Sequence, residues 1–276
     1  MPAPTVCLTF DFDAMSLWIA RGMTTPGPLS RGEFGAHAVP RLLRLLERWS
    51  VPATWFVPGH TADTYPDLVR SIADAGHELA LHGYAHEPVS SLSADEERAM
   101  LRRSADTLER LTGRAPAGNR TPSWDFTDST VDLLRELGVT YDSSLMGTDY
   151  TPYFARTGDA APADGPYRFG TATPLVELPV SWTLDDYPAF EYLKAGGSVN
   201  PGLRRPDDVF ANFLDDVRYM VREEPGGVCV ITFHPQVIGR GHRLLGLERF
   251  LDGLDQMGVA YARCAAVAAD FLEANR

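Results

Sequence analysis

The sequence predicts an α/β fold, a distorted (β/α) barrel of about seven or eight parallel strands, on three observations. Strand-like apolar runs and helix-like amphipathic segments alternate almost from end to end, the pattern of a parallel sheet wrapped by helices. Three of those runs end in ionisable side chains. Val6-Cys7-Leu8-Thr9-Phe10 leads into Asp11-Phe12-Asp13, Glu78-Leu79-Ala80-Leu81 into His82-Gly83-Tyr84-Ala85-His86, and Val228-Cys229-Val230-Ile231-Thr232-Phe233 into His234-Pro235. In a β/α barrel the C-terminal strand ends converge on one pit. Finally, 276 residues that are 44% hydrophobic suffice for one such barrel with a full core, and no repeat, low-complexity tract or linker divides the chain, so a single domain over 1–276 is expected.

After the first strand, leucines at 42, 43, 45 and 46 with Trp49 have helical spacing, which predicts a helix over Val39–Arg48. Ala53–Val57 reads as strand, Pro66–Ala75 as a helix ended by Gly76, and His77–His82 as strand. Ser93 with Glu96 forms a capping box that opens a helix over Ala94–Thr112, stopped by Gly113. Asp128–Leu137 is a further helix, leading into a strand at Val139–Tyr141. Leu175–Val180 reads as strand, Asp207–Glu223 as helix, and Leu244–Met257 with Val259–Tyr261 closes the cycle. Two stretches rich in Gly and Pro, Met15–Ala36 and Met146–Thr173, read as long loops at the active face. Loops of that length in a compact fold are usually lids or partner contacts.

A net charge of -12 argues against nucleic acid or an anionic membrane as partner, since both require a basic face. Cys7, Cys229 and Cys264 sit in apolar runs without metal-ligand spacing and read as buried thiols. The N-terminus enters the first strand with no export-signal pattern, so a cytoplasmic location is expected.

Asp11 and Asp13 share one face if the strand continues through them. They are then either ordinary turn caps or two carboxylates whose repulsion calls for a cation between them. His82 and His86 have the i, i+4 spacing of a helical zinc site, but Gly83 stands where a glutamate would, and Pro88 follows, which favours a loop. Two imidazoles and a carboxylate make a ligand set for zinc or a similar divalent ion. His234, held by Pro235, is placed to act as a general acid. Arg120 either pairs with Asp11 or is a surface cation, and Trp124 and Trp182 are either a substrate floor or core. No phosphate loop, Gly-x-Ser-x-Gly elbow or dinucleotide fingerprint follows a strand.

The set Thr9-Phe10-Asp11-Phe12-Asp13, His82-x-x-x-His86, Arg120-Thr121-Pro122 and Thr232-Phe233-His234-Pro235, in this order, resembles the polysaccharide deacetylase superfamily, the NodB-homology or carbohydrate esterase family 4 group. Leu29–Gly32, Pro52–Phe56, Asp74–Glu78, Tyr141–Met146, Leu178–Trp182 and Leu184–Asp186 extend the resemblance over nearly the whole chain. They narrow it to the branch of intracellular peptidoglycan-deacetylase-like proteins and cyclic imide hydrolases. The resemblance implies a NodB-type barrel, with Asp11 as general base, Asp13, His82 and His86 as metal ligands, and His234 as general acid. It further implies that Arg120 contacts the base, and that the protein is a homo-oligomer with the early loop at its subunit contacts. It leaves open whether Asp142, Asp149, Asp185 or Asp186 orients His234. The first motif also departs from Thr-Phe-Asp-Asp-Gly, because the second aspartate stands two residues beyond the base.

The implied reaction is metal-dependent hydrolysis of a non-peptide carbon–nitrogen bond. Zinc is the expected metal, with cobalt, manganese or nickel as alternatives. A backbone amide near Tyr84 or Trp124 is expected to help hold the oxyanion. The two loops, with Trp18, Tyr150, Tyr153 and Trp182, are expected to close an apolar pocket, which favours a small cyclic imide or ureide as substrate. An N-acetyl-sugar deacetylase is the alternative, and a catalytically silent ligand-binding barrel the third reading.

Overall fold

The computed structural model describes residues 3–195 and 198–276. The chain begins with strand β1 (Thr5–Asp11), helices α1 (Ser16–Ala20) and α2 (Pro26–Trp49), strand β2 (Ala53–Val57), and helices α3 (Gly59–Thr64) and α4 (Pro66–Asp74). Strand β3 (Glu78–Leu81), helix α5 (Ala94–Thr112), strand β4 (Gly118–Asn119), helix α6 (Thr130–Glu136) and strand β5 (Tyr141–Asp142) follow. Next come β6 (Tyr153–Thr157), β7 (Thr171–Glu177), α7 (Asp186–Phe190) and the hairpin β8 (Leu193–Ala195) and β9 (Ser198–Asn200). The last elements are α8 (Pro206–Glu223), β10 (Val228–Phe233), α9 (Pro235–Ile238), α10 (Gly241–Met257), β11 (Ala260–Tyr261) and α11 (Cys264–Ala274).

One curled, open sheet runs in the order β10-β1-β2-β3-β4-β5-β7-β6, with β11 pairing the start of β1. Every neighbouring pair in it is parallel except β6 with β7, so the sheet is the half-barrel that the alternating pattern predicts. Its centre reads as continuous apolar sequence because both faces are covered. All six residues of β10 are buried, as are six of the seven of β1. Between the sheet and the α8–α10 side, Phe10 stacks on Trp55 with centroids 4.5 Å apart, and Phe210, Phe213, Phe233 and Phe250 interlock.

Of the two predicted loops, the first is mostly helix and the second carries two strand segments. Met15–Ala36 holds α1 and the first half of α2, so the helix expected from Val39 starts thirteen residues earlier. Pro26 sits at its first turn, where a missing N–H costs nothing. The glycines serve close packing: a Cβ on Gly32 would lie 2.6 Å from the backbone of Ala14, so tertiary contact outweighs the poor helix propensity of glycine. Met146–Thr173 contains β6 and the start of β7, which pair antiparallel. No helix among the described residues is long and apolar enough to cross a membrane.

Candidate metal centre and active site

The C-terminal ends of β1, β3 and β10 converge as the barrel geometry requires. Asp11, Asp13, His82, His86 and His234 line one cavity of about 60 Å³, together with Leu17, Arg21, Ser123, Trp124, Trp182, Asp185 and Tyr187. Backbone strain gathers around it. Ala14, His86, Ser123 and Trp124 all adopt positive φ, between 47° and 61°, a conformation that non-glycine residues keep only where the surroundings impose it.

Asp13, His82 and His86 are buried, and their ligand atoms all lie within 4.8 Å of one another. His82 Nε2 is 3.4 Å and His86 Nε2 3.8 Å from Asp13 Oδ1. Donor atoms that share an ion at about 2.0–2.2 Å lie roughly 3.3 Å apart across a tetrahedral angle, so a small shift suffices. His82 Nδ1 is 2.8 Å from the Arg120 carbonyl. A carbonyl only accepts, so Nδ1 carries a proton and Nε2 is the atom turned toward Asp13. Burial lowers the His82 pKa, but Asp11 and Asp13 raise it overall, and an ion bound here would take the place of the Nε2 proton. Asp13 Oδ1 is buried without a hydrogen-bond partner in the structure, an orphan that a bound cation would satisfy. Burial would lift the Asp13 carboxyl, but His86, His82 and His234 hold it well below the usual carboxylate range. Burial pushes His86 down to about 4, against the pull of Asp13, so this imidazole is neutral and able to ligate. The residues present therefore fit a divalent metal.

Arg120 is fully buried rather than a surface cation. Its Nη1 donates to Asp11 Oδ1 at 2.8 Å and to Thr9 Oγ1 at 2.8 Å, and its Nε to the Ser143 carbonyl at 2.9 Å. One Asp11 oxygen is thus fixed, while Oδ2 stands 3.8 Å from His82 Nε2 and 4.0 Å from His234 Nε2.

His234 is oriented by Asp186, whose Oδ1 is 2.8 Å from Nδ1, with Asp185 Oδ1 at 3.5 Å. Of the other carboxylates considered, Asp142 is engaged by Asn119 and Asp149 is exposed. Burial works to lower the His234 pKa, but Asp185 and Asp186 raise it well above the ordinary imidazole value. Asp185 and Asp186 are themselves lifted by burial, Asp185 to about 7.

Several expected residues lie elsewhere. The Tyr84 hydroxyl donates to Asp63, and its ring packs under Arg103. Tyr150 is buried with its hydroxyl on Asp216, the Tyr153 hydroxyl accepts from Gly147 N, and Trp18 lies under Arg31. Of the backbone amides near Tyr84 and Trp124, Tyr84 N is taken by Glu87 and Trp124 N by the Thr121 carbonyl. Nor does Met146–Thr173 cover the mouth: none of its residues lines the cavity, and Trp182 remains 45% exposed. Trp124 and Trp182 do line it, their rings 4.0 Å apart. Leu17, Arg21 and Tyr187 were not anticipated as site residues. Gln236 was also missed, although its Nε2 donates to Asp13 Oδ2 at 3.3 Å and its place two residues after His234 was the available signal.

The model of the family described as polysaccharide deacetylase matches residues 1–141. A peptidoglycan deacetylase of Helicobacter pylori is 36% identical over 96% of this chain and 95% of its own length. The chain belongs to the polysaccharide deacetylase family. Its deacetylases are metal-dependent hydrolases of amide carbon–nitrogen bonds, in keeping with the cluster at Asp13. A peptidoglycan deacetylase-like protein of Gibberella zeae is 28% identical over 97% of this family member and 86% of that chain. A solved putative polysaccharide deacetylase from Mycobacterium smegmatis superposes with a TM-score of 0.82 at 35% identity, covering 99% of this chain and 91% of the other. The relatives favour the deacetylase reading over the cyclic imide or ureide expected first.

Proposed function

We propose that this protein is a metal-dependent deacetylase that removes the acyl group from an N-acetylated amino sugar of the peptidoglycan type. The observation that carries the reading is the single cavity shared by Asp11, Asp13, His82, His86 and His234, in a chain 36% identical to a protein named peptidoglycan deacetylase. The open rim supports it, because the exposed face of Trp182 suits the apolar face of a sugar ring.

Asp13, His82 and His86 would hold the metal, which when bound supplies Lewis acidity at the acyl carbonyl. Asp11, anchored by Arg120 through one oxygen, takes a proton on the other as water adds to the carbonyl carbon. His234, aligned by Asp186, gives its Nε2 proton to the nitrogen as the carbon–nitrogen bond breaks. Acetate and a free amine leave. The raised pKa of His234 suits this role, since the acid must arrive protonated.

The test compares acetate release from chitin oligomers and peptidoglycan fragments with ring opening of succinimide, dihydrouracil, hydantoin and allantoin, using metal-reconstituted protein. Acetate release is expected, and Asp11→Asn should lower kcat by about 10²–10⁴-fold while the metal stays bound. Ring opening without acetate release would overturn the reading.

A further inference from the structure

Arg21 is a cation of the cavity that the reaction above does not use. It closes the C-terminal end of α1 and lines the cavity beside Asp11, Asp13, His82, His86 and His234. Its Nη1 donates to the Tyr187 hydroxyl at 2.7 Å, and its guanidinium lies 5.5 Å from the Tyr187 ring centre. Both contacts are to a neutral group. Among the described residues Arg21 forms no ion pair, whereas Arg31 pairs with Glu191 and Arg120 with Asp11. That is notable in a chain with 37 acidic and 25 basic residues, where a carboxylate partner would be easy to supply. The Tyr187 ring in turn lies 5.3 Å from the His234 ring, so Arg21 stands one aromatic ring away from the proton donor.

The surroundings add to its field. Burial lowers the Arg31 pKa, Tyr187 opposes this, and the nearby charges of Arg240 and Arg21 add to it, so Arg21 and Arg240 stand close to Arg31 on the α1–α2 side of the mouth. The floor holds Asp11, Asp13 and Asp185, with Arg120 against Asp11 and His234 against Asp185. A negatively charged substrate group is attracted to an unpaired guanidinium at the rim. A guanidinium open to solvent on its ligand side, held in place by a hydroxyl, is suited to charge-assisted hydrogen bonds with such a group.

We propose that Arg21 binds an anionic group of the substrate, a carboxylate or a phosphate carried close to the N-acyl group that is cleaved. The inference rests on the deacetylase reading and narrows it from N-acetylated sugars in general to acidic ones. The competing account is that Arg21 only closes α1 and stacks on Tyr187, in which case substrate charge is irrelevant.

The test uses metal-loaded protein and three ligands of equal length: a chitin tetrasaccharide, the same chain bearing a phosphate, and an alternating N-acetylglucosamine–N-acetylmuramic acid tetrasaccharide, which carries lactyl carboxylates. Calorimetric affinity and acetate release are both measured. An anionic chain is expected to bind at least about tenfold tighter than the neutral one, and the preferred anion separates carboxylate from phosphate. In Arg21→Gln that preference should fall toward unity through KM rather than kcat. Arg21→Lys should keep part of it, and Tyr187→Phe should weaken it by freeing the guanidinium. Equal acetate release from neutral and anionic chains, with Arg21→Gln leaving the ratio unchanged, defeats the inference and leaves the deacetylase reading in place. Arg21-dependent binding of an anionic chain with no acetate released supports the anion site and defeats the deacetylase reading alone.

Discussion

Against burial, the charge of Asp185 and the hydrogen bond to Asp186 together raise the His234 pKa. The Asp186 carboxylate meets Nδ1 at 2.8 Å and also accepts from the His234 backbone N–H at 3.1 Å, so ring and main chain are fixed by the same oxygen. Its other oxygen is buried without a partner, which concentrates its charge on the imidazole. Asp186→Asn keeps the shape and removes that charge, so the His234 pKa falls from its raised position. A general acid that deprotonates earlier loses activity earlier, and the alkaline limb of kcat/KM should therefore move to lower pH, with kcat reduced about 10–100-fold. An unmoved alkaline limb in pH–rate profiles would assign the role to Asp185, at 3.5 Å. The sequence narrowed the orienting carboxylate to four residues and no further, because the choice depends on the turn between β7 and α7 rather than on any local pattern. His86, Ser123 and Trp124 were equally opaque in one respect: nothing in their residue types announces positive φ.

Elements were legible where their sequence carried a period and illegible where packing decided. The helix over Ala94–Thr112 was readable from its capping box, which the structure contains in full. In residues 15–36 glycine and proline look like loop signals, but Gly32 is required by the close approach of α2 to Ala14. At the start of β3, His77 illustrates an element-level coupling to pH. Its Nδ1 accepts from Ala53 N at 3.2 Å, joining the ends of β2 and β3. Burial, aided by Arg263, pushes the imidazole down to about 4 from an ordinary 6.5. Between those two values the unfolded chain holds a proton that the folded chain does not, so stability falls as pH drops through that window and is flat outside it. Denaturation midpoints of the parent and His77→Asn should diverge in slope only there, the variant showing the weaker dependence. Parallel curves across the window would mean that His77 titrates normally in the fold.

At the scale of the whole molecule, the convergence of strand ends was legible, whereas of the two stretches expected to close over the mouth only 15–36 reaches it, through Leu17 and Arg21. Three apolar runs ending in charged residues located the mouth, because parallel barrel strands present their C-terminal ends together. The wall of the mouth comes from Trp124, Trp182 and Tyr187, brought there by tertiary routes that residue spacing does not encode. The same convergence predicts how the molecule responds to metal. Asp13 arrives from β1 and the two imidazoles from β3, so an ion would tie together elements sixty-nine or more residues apart in sequence. The core does not depend on that tie, since β1 pairs with β2 and β10 along its length. Chelated protein should therefore stay folded and lose stability only by mass action, about 4 kcal/mol when the free metal had been 1,000-fold above its Kd. For a chain near this size that is roughly 10 °C in Tm. Thermal melts after chelation and after return of zinc, cobalt, manganese or nickel should show the loss and its recovery, the size of the rise following each metal's affinity. Asp13→Ala and His82→Ala should show no rise in Tm on adding any of these metals, and should melt below the chelated parent, because each also loses a buried hydrogen bond, from Gln236 or to the Arg120 carbonyl. Stoichiometric metal and a full rise in Tm in both variants would move the ion away from this cluster, and the Asp185–Asp186–His234 group, whose ligand atoms also lie within 4.8 Å of one another, would be the place to look for it.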